Sequence, residues 1–116
     1  MTDVHIKIPN PLVKEHSSFT AVAYFRVAGA ASAPATNIKY RVDNITRGKQ
    51  LLDWTSVSVA TTVDIAITSA HNAILDNTNR IEKVQLTVAA DKGETNATYA
   101  TIDWNVQNVY GYRDNS

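Results

Sequence analysis

The 116-residue sequence contains no cysteine, which excludes a disulfide framework, a thiol nucleophile and any cysteine-held metal site. Stability has to come from packing alone. Only four glycines and three prolines are present, and no glycine-rich phosphate loop can be drawn through them. No stretch approaches the roughly 18 consecutive apolar residues that a membrane-spanning helix needs. Residues Met1 to Lys7 alternate polar and apolar where a secretory leader would be continuously apolar, so the expectation is a chain made in a cytoplasm. Net charge is missing as well: eleven Lys and Arg face eleven Asp and Glu, leaving no global field to draw the chain to nucleic acid or anionic membrane. Residues 1–58 carry a net +3 and residues 59–116 a net −3, which in an interleaved fold reads as scattered, solvated charge.

What is present describes a packed domain. Hydrophobic residues make up 44% and charged residues 19% of a chain whose length suits one core, so a single globular domain is expected. Val, Ile and Thr supply 34 of the 116 residues; their β-branched side chains are stiff at χ1 and sit well on a pleated surface. Period-two alternation recurs along the chain, and 3.6-residue stripes do not. Val4, Ile6 and Ile8 alternate with His5 and Lys7 until Pro9-Asn10-Pro11, where missing amide donors stop a ladder. From Phe19 to Val27, Phe19, Ala21, Ala23, Phe25 and Val27 share one face while Val22, Tyr24 and Arg26 share the other. A small-residue loop from Gly29 to Pro34 leads to Ile38, Tyr40 and Val42, then to turn chemistry at Asp43-Asn44 and Arg47-Gly48-Lys49. Leu51-Leu52-Asp53-Trp54 reads as a short crossing segment, and Val57 to Ile67 as a strand after an irregular approach. Ser69 to Leu75 is the one plausible helical turn, followed by a turn at Asp76-Asn77-Thr78-Asn79. Val84, Leu86 and Val88 open a hairpin that loops through Asp91 to Asn96 and returns with Ala100, Ile102, Trp104 and Val106 on one face. Turn signals at this spacing predict an all-β fold: an antiparallel β-sandwich of about seven strands, each sheet burying one face.

Side chains able to do chemistry are not grouped. His5, His16 and His71 are far apart in sequence, so they form no local chelate or acid–base pair. Asp76 to Asn79 and Asp91 to Glu94 lack the Asp-x-Asp-x-Asp-Gly spacing of a calcium loop, and turn formation accounts for them better. No Gly-x-Ser-x-Gly elbow or Ser-x-x-Lys pair is present to activate a hydroxyl. The expectation is a binding protein and not an enzyme, without cofactor or metal. Two Asp-Trp pairs, Asp53-Trp54 and Asp103-Trp104, stand out because Trp is rich in contact energy. Trp104 alternates with Ile102 and Val106 and is expected in the core. Trp54 lies in a less regular segment, and Trp54 with Tyr40 is where a sugar-stacking aromatic would be sought. Tyr110, Tyr112 and Arg113 gather residue types favoured at interface hot spots, with a terminal strand pairing in its own sheet as the plain alternative.

The succession of segments resembles immunoglobulin-like and fibronectin type III domains: a Pro-flanked first strand, an aromatic second strand, a Tyr-containing third, and a strand through Val88 and Ala90 that ends at Gly93. Within that group, Lys39-Tyr40-Arg41-Val42, Leu51-Leu52-Asp53-Trp54-Thr55, Ile65-Ala66-Ile67-Thr68, Asn72-Ala73-Ile74, the stretch from Glu82 to Val88, and Trp104-Asn105-Val106 resemble small virion proteins of tailed bacteriophages. Ordinary fibronectin type III domains differ at two places: Phe25 or Tyr24 stands where a core Trp is usual, and Ile81 near a corner tyrosine. The resemblance implies a domain over residues 1–109 with a tail over 110–116, located in the virion as an accessory immunoglobulin-like structural protein attached to capsid, neck or tail. Its partners would be other virion proteins or further copies of itself, with neither nucleic acid nor membrane involved. Charged loop tips, Arg47 and Lys49 in one loop and Lys92 and Glu94 in another, then join Trp54, Tyr40, Tyr110, Tyr112 and Arg113 as candidate contact residues. The alternative expectation is a carbohydrate- or cell-surface-binding module on the same fold.

Overall fold

A computed structural model describes residues 2–73, 80–95 and 97–108. Tyr110, Tyr112, Arg113 and the Asp76–Asn79 turn lie outside the described residues, as does the 110–116 tail. In chain order the described strands are β1 (Thr2–Lys7), β2 (Leu12–Lys14), β3 (Phe19–Val27), β4 (Ala30–Ala31), β5 (Ile38–Asn44), β6 (Lys49–Val57), β7 (Thr62–Ile67), β8 (Ile81–Ala90) and β9 (Thr98–Gln107). They form two sheets packed together as a β-sandwich. In the first, β3 is central, with β1 along one edge and β7 and the two-residue β4 along the other. In the second, the order is β2-β9-β8-β5-β6. Every pairing is antiparallel except that of β2 with β9.

Alternation becomes core directly. β3 turns Ala21, Ala23 and Phe25 inward, β7 adds Val63, Ile65 and Ile67, and the opposite sheet answers with Ile38, Val42, Val84, Leu86, Val88, Ala90, Trp104 and Val106. The ring of Phe19 meets Trp104 edge-on at 5.0 Å between centroids. Burying an indole strands its N–H unless an acceptor is supplied. Trp104 Nε1 donates to Asn72 Oδ1 at 2.7 Å, and Asn72 Nδ2 donates in turn to the Ser17 carbonyl at 2.7 Å. Among the described residues no buried side-chain polar atom lacks a partner.

Five strands, β1, β3, β5, β8 and β9, fall where alternation predicts them; Leu51–Trp54, expected as a short crossing segment, lies inside the nine-residue strand β6, and β2 and β4 are additions of only three and two residues. The Pro9-Asn10-Pro11 break creates β2. Asn10 Oδ1 accepts the Leu12 N–H at 3.0 Å, turning the chain away from β3, and the Pro11 carbonyl accepts the Asn105 N–H at 2.8 Å as β2 joins β9. One N-terminal segment thereby serves both sheets. β4 arises from a two-residue turn at Ala28-Gly29, both at positive φ (53° and 82°), as a type I′ hairpin turn requires.

Two further expectations are revised. The stretch Val57 to Ile67 is not one strand, because β6 ends at Val57 and β7 starts at Thr62; the residues between carry the chain from one sheet to the other. The predicted helical turn at Ser69 is a hydrogen-bonded turn, His71 N–H to Thr68 and Asn72 N–H to Ser69 at 3.0 and 3.2 Å, with no helix; Ile74 and Leu75 lie outside the described residues. The turn is fixed by what it delivers, since it presents Asn72 to Trp104.

Candidate functional site

The outward face of the five-stranded sheet is organised around Trp54. β5 and β6 pair in register from Ile38↔Val57 to Tyr40↔Thr55, then resume at Val42↔Leu52. Asp53 and Trp54 therefore oppose the single residue Arg41, which is the two-against-one pattern of a β-bulge. Bulges re-aim side chains, and here Trp54 lies across the sheet towards β9. Its ring meets Tyr99 at 6.3 Å in a T-shaped arrangement, although β5 and β8 separate their strands. The span is possible because Ala89 sits between them in the register Lys39↔Ala89↔Tyr99. Ala89 points outward yet is fully buried, as expected of a small residue roofed by two rings.

Two cations stand against the same indole. The Arg41 guanidinium lies 5.7 Å and the Lys92 ammonium 5.1 Å from the Trp54 ring centroid, within cation–π range. Neither is left to wander. Arg41 forks onto Asp43 through Nε and Nη2 at 2.9 and 2.6 Å and reaches Gln50 Oε1 at 3.2 Å. The hydrogen bond to Asp43, with the charges of Asp43 and Asp53, raises the guanidinium pKa and holds it charged.

Lys92 is positioned through its backbone. Its N–H donates to Asn37 Oδ1 at 2.9 Å and its carbonyl accepts Asn37 Nδ2 at 3.0 Å. The preceding residue, Asp91, is only 2% exposed and adopts φ +56°, a left-handed conformation that costs an L-residue about 1–2 kcal/mol. Its carboxylate offsets that cost by accepting the Thr36 and Asn37 amides at 2.7 and 3.4 Å. Asp91 is thus a loop clamp, in keeping with turn chemistry at Asp91 to Glu94, and its acceptor oxygen is already engaged.

The other candidates scatter. Tyr40 faces the core, partly buried against it, while Trp54 faces out, so the expected Trp54–Tyr40 pair sits on opposite faces of the sheet. Arg47 and Lys49 lie at the β5–β6 turn, at the opposite end of the sheet from Lys92; the Arg47 N–H caps onto Asn44 Oδ1 at 2.9 Å. Glu94 is exposed in the β8–β9 loop. Lys92 is the candidate that joins Trp54, and Arg41 and Tyr99 complete the group. Their only sequence signal was an outward parity on strands whose inward residues are apolar.

A second, looser cluster occupies the outer face of the first sheet. His5, Lys7, Tyr24 and Arg26 line a shallow concavity of about 510 Å³, with Lys7 Nζ 5.6 Å from the Tyr24 centroid and the His5 ring 6.4 Å from it. Asp3 is cross-strand from Arg26, and Asp64 from Val22, and no ion pair is formed there among the described residues. Among the described residues no three His, Asp or Glu side chains are gathered as a metal site. No helix is long and apolar enough to cross a membrane. No family model, curated protein or solved structure matches this chain.

Proposed function

We propose that this chain is a non-enzymatic binding domain, an accessory immunoglobulin-like domain of a bacteriophage virion, held to capsid, neck or tail proteins through the outward face of its five-stranded sheet. The observation that carries the binding reading is the Trp54 cluster. A bulge, a guanidinium fork, a left-handed Asp91 and a roofed Ala89 all converge on one partly exposed indole. Local strain and preformed charge of this kind are the marks of a surface arranged for a partner. The virion setting is supported by the sequence resemblance. The immunoglobulin-like subtype is supported by strand order: β9-β8-β5-β6 follows the G-F-C-C′ order of variable-type domains, and β1-β3-β7 the A-B-E order. On a symmetric particle even weak contacts would accumulate through multivalency.

The test is composition of the assembled particle by mass spectrometry. The protein is expected in purified particles, and Trp54→Ala, with its fold intact, is expected to lose about 2 kcal/mol or more of binding as a buried hot-spot aromatic would. Absence of the wild-type protein from the particle refutes the setting. A second reading, a carbohydrate-binding module, is favoured by Tyr99, 53% exposed next to Trp54, with Asp53 and Gln50 at the edge. Glycan-array binding that disappears in Trp54→Ala would select it.

A further inference from the structure

We infer that the partner element received by the Trp54 face is a short acidic peptide segment, one carrying carboxylates on either side of an apolar side chain; this rests on the protein-binding reading above. Charge on this face is unevenly committed. Arg41 is engaged by Asp43, and Asp53 Oδ1 accepts the Trp54 N–H at 2.7 Å. Lys92 and Lys39 form no ion pair among the described residues, and they flank the ring pair. Lys92 stands over Trp54, while Lys39 is the cross-strand neighbour of Ala89, the residue the rings cover. The end of the sheet nearest the β8–β9 loop therefore presents, beside an exposed Tyr99, two ammonium groups that no carboxylate contacts among the described residues, with Glu94 exposed in the same loop.

Further along the same face stands Asp103, cross-strand from Gln85, beyond the Asp43 that Arg41 already engages. A long polyanion would run onto those carboxylates, and a short acidic segment would not. An extended peptide repeats its side chains on one face roughly every 6.8 Å. An acid–apolar–acid pattern on alternate residues can thus set an apolar side chain on Tyr99 and Trp54 and carboxylates on the two lysines. A sheet face crossed by two rings suits such a segment better than a single sugar ring, since it offers length as well as charge.

The test is a heteronuclear NMR titration of the full chain with acetyl-Glu-Gly-Leu-Gly-Glu-amide, its lysine-for-glutamate counterpart, and digalacturonate. The acidic peptide is expected to shift the Trp54 indole N–H and the Ala89 and Tyr99 amides saturably. Lys39→Gln and Lys92→Gln should each weaken it about two- to fivefold, as loss of an exposed charge pair does, and Arg26→Gln on the other sheet should not. An equal response to both peptides, a response to digalacturonate alone, or no response at these signals overturns the acidic-peptide assignment. Incorporation into particles separates the two levels. If Trp54→Ala is lost but the double variant Lys39→Gln/Lys92→Gln is retained, the acidic partner is refuted while the face stands. If Trp54→Ala is retained, the use of the face itself is refuted.

Discussion

Three polar residues decide how the aromatic and titrating groups behave. Asn72 is fully buried, with its amide shared between the Trp104 indole and the Ser17 carbonyl. Asn72→Ala leaves both without a partner, so it should cost about 1–3 kcal/mol, the desolvation penalty of unsatisfied buried groups. Urea denaturation followed by Trp fluorescence measures this, and an unchanged midpoint would show that water replaces the asparagine. His71, in the same turn, accepts the Thr68 N–H through Nδ1 at 3.2 Å, and burial lowers its pKa. A lowered folded pKa means that the unfolded chain takes the proton first on acidification. Its contribution is therefore complete above the ordinary histidine value of about 6.5 and is lost as pH falls from there through the folded value. Between about pH 7.5 and pH 5.5 the urea midpoint of the wild type should fall more than that of His71→Asn, which keeps an acceptor but has no proton to gain. The third residue is Asp91, whose role as a clamp explains why Lys92 is found over Trp54 and not in solvent. Sequence parity was sufficient to place Trp104 inside. It could not place Trp54, because the bulge that aims it depends on how β6 meets β5 and leaves no mark in β6 alone.

At the scale of the element, the strands were legible because β-branched alternation is a period-two signal that packing obeys. What escaped were features made by pairing. The sheet switch at Pro9-Asn10-Pro11 reads in sequence as a stop, and only the parallel bonding of β2 to β9 shows that the chain continues in the other sheet. The loop after β3 reads as small residues, whereas it opens with a tight hairpin whose first central residue, Ala28, is held at φ +53°. An alanine pays for that conformation and an asparagine tolerates it. Ala28→Asn should accordingly stabilise the domain by about 0.5–1 kcal/mol, seen as a rise in thermal midpoint. A fall would show that Ala28 is held there by contacts which a larger side chain disrupts. Tyr40 and Trp54 face opposite ways for a related reason. Tyr40 follows strict alternation and turns inward, while the extra residue in β6 changes the parity of Trp54 relative to its own strand.

At the scale of the whole molecule, the sandwich separates two jobs. The inner faces carry most of the large apolar residues, with Leu12, Val27, Ile45, Val59 and Ile81 exposed, and the outer faces carry two clusters of cations and aromatics on opposite sheets. Among the described residues the Trp54 cluster is held by the hydrogen bonds of Arg41 and of the Lys92 backbone, whereas the Tyr24 cluster is assembled from exposed His5, Lys7 and Arg26 around a half-buried Tyr24. That contrast is why the proposed binding surface is assigned to the Trp54 side of the molecule. It was not visible in sequence, since Trp54, Lys92, Arg41 and Tyr99 come from four separate segments and meet only when the five strands are ordered. Site-specific photocrosslinking tests it most directly, with benzoylphenylalanine placed at Tyr99 on the Trp54 face or at Thr62 on the opposite sheet while the particle assembles. The account expects a defined adduct with a neighbouring virion protein from position 99 and none from position 62; an adduct from position 62 with none from position 99 would contradict it.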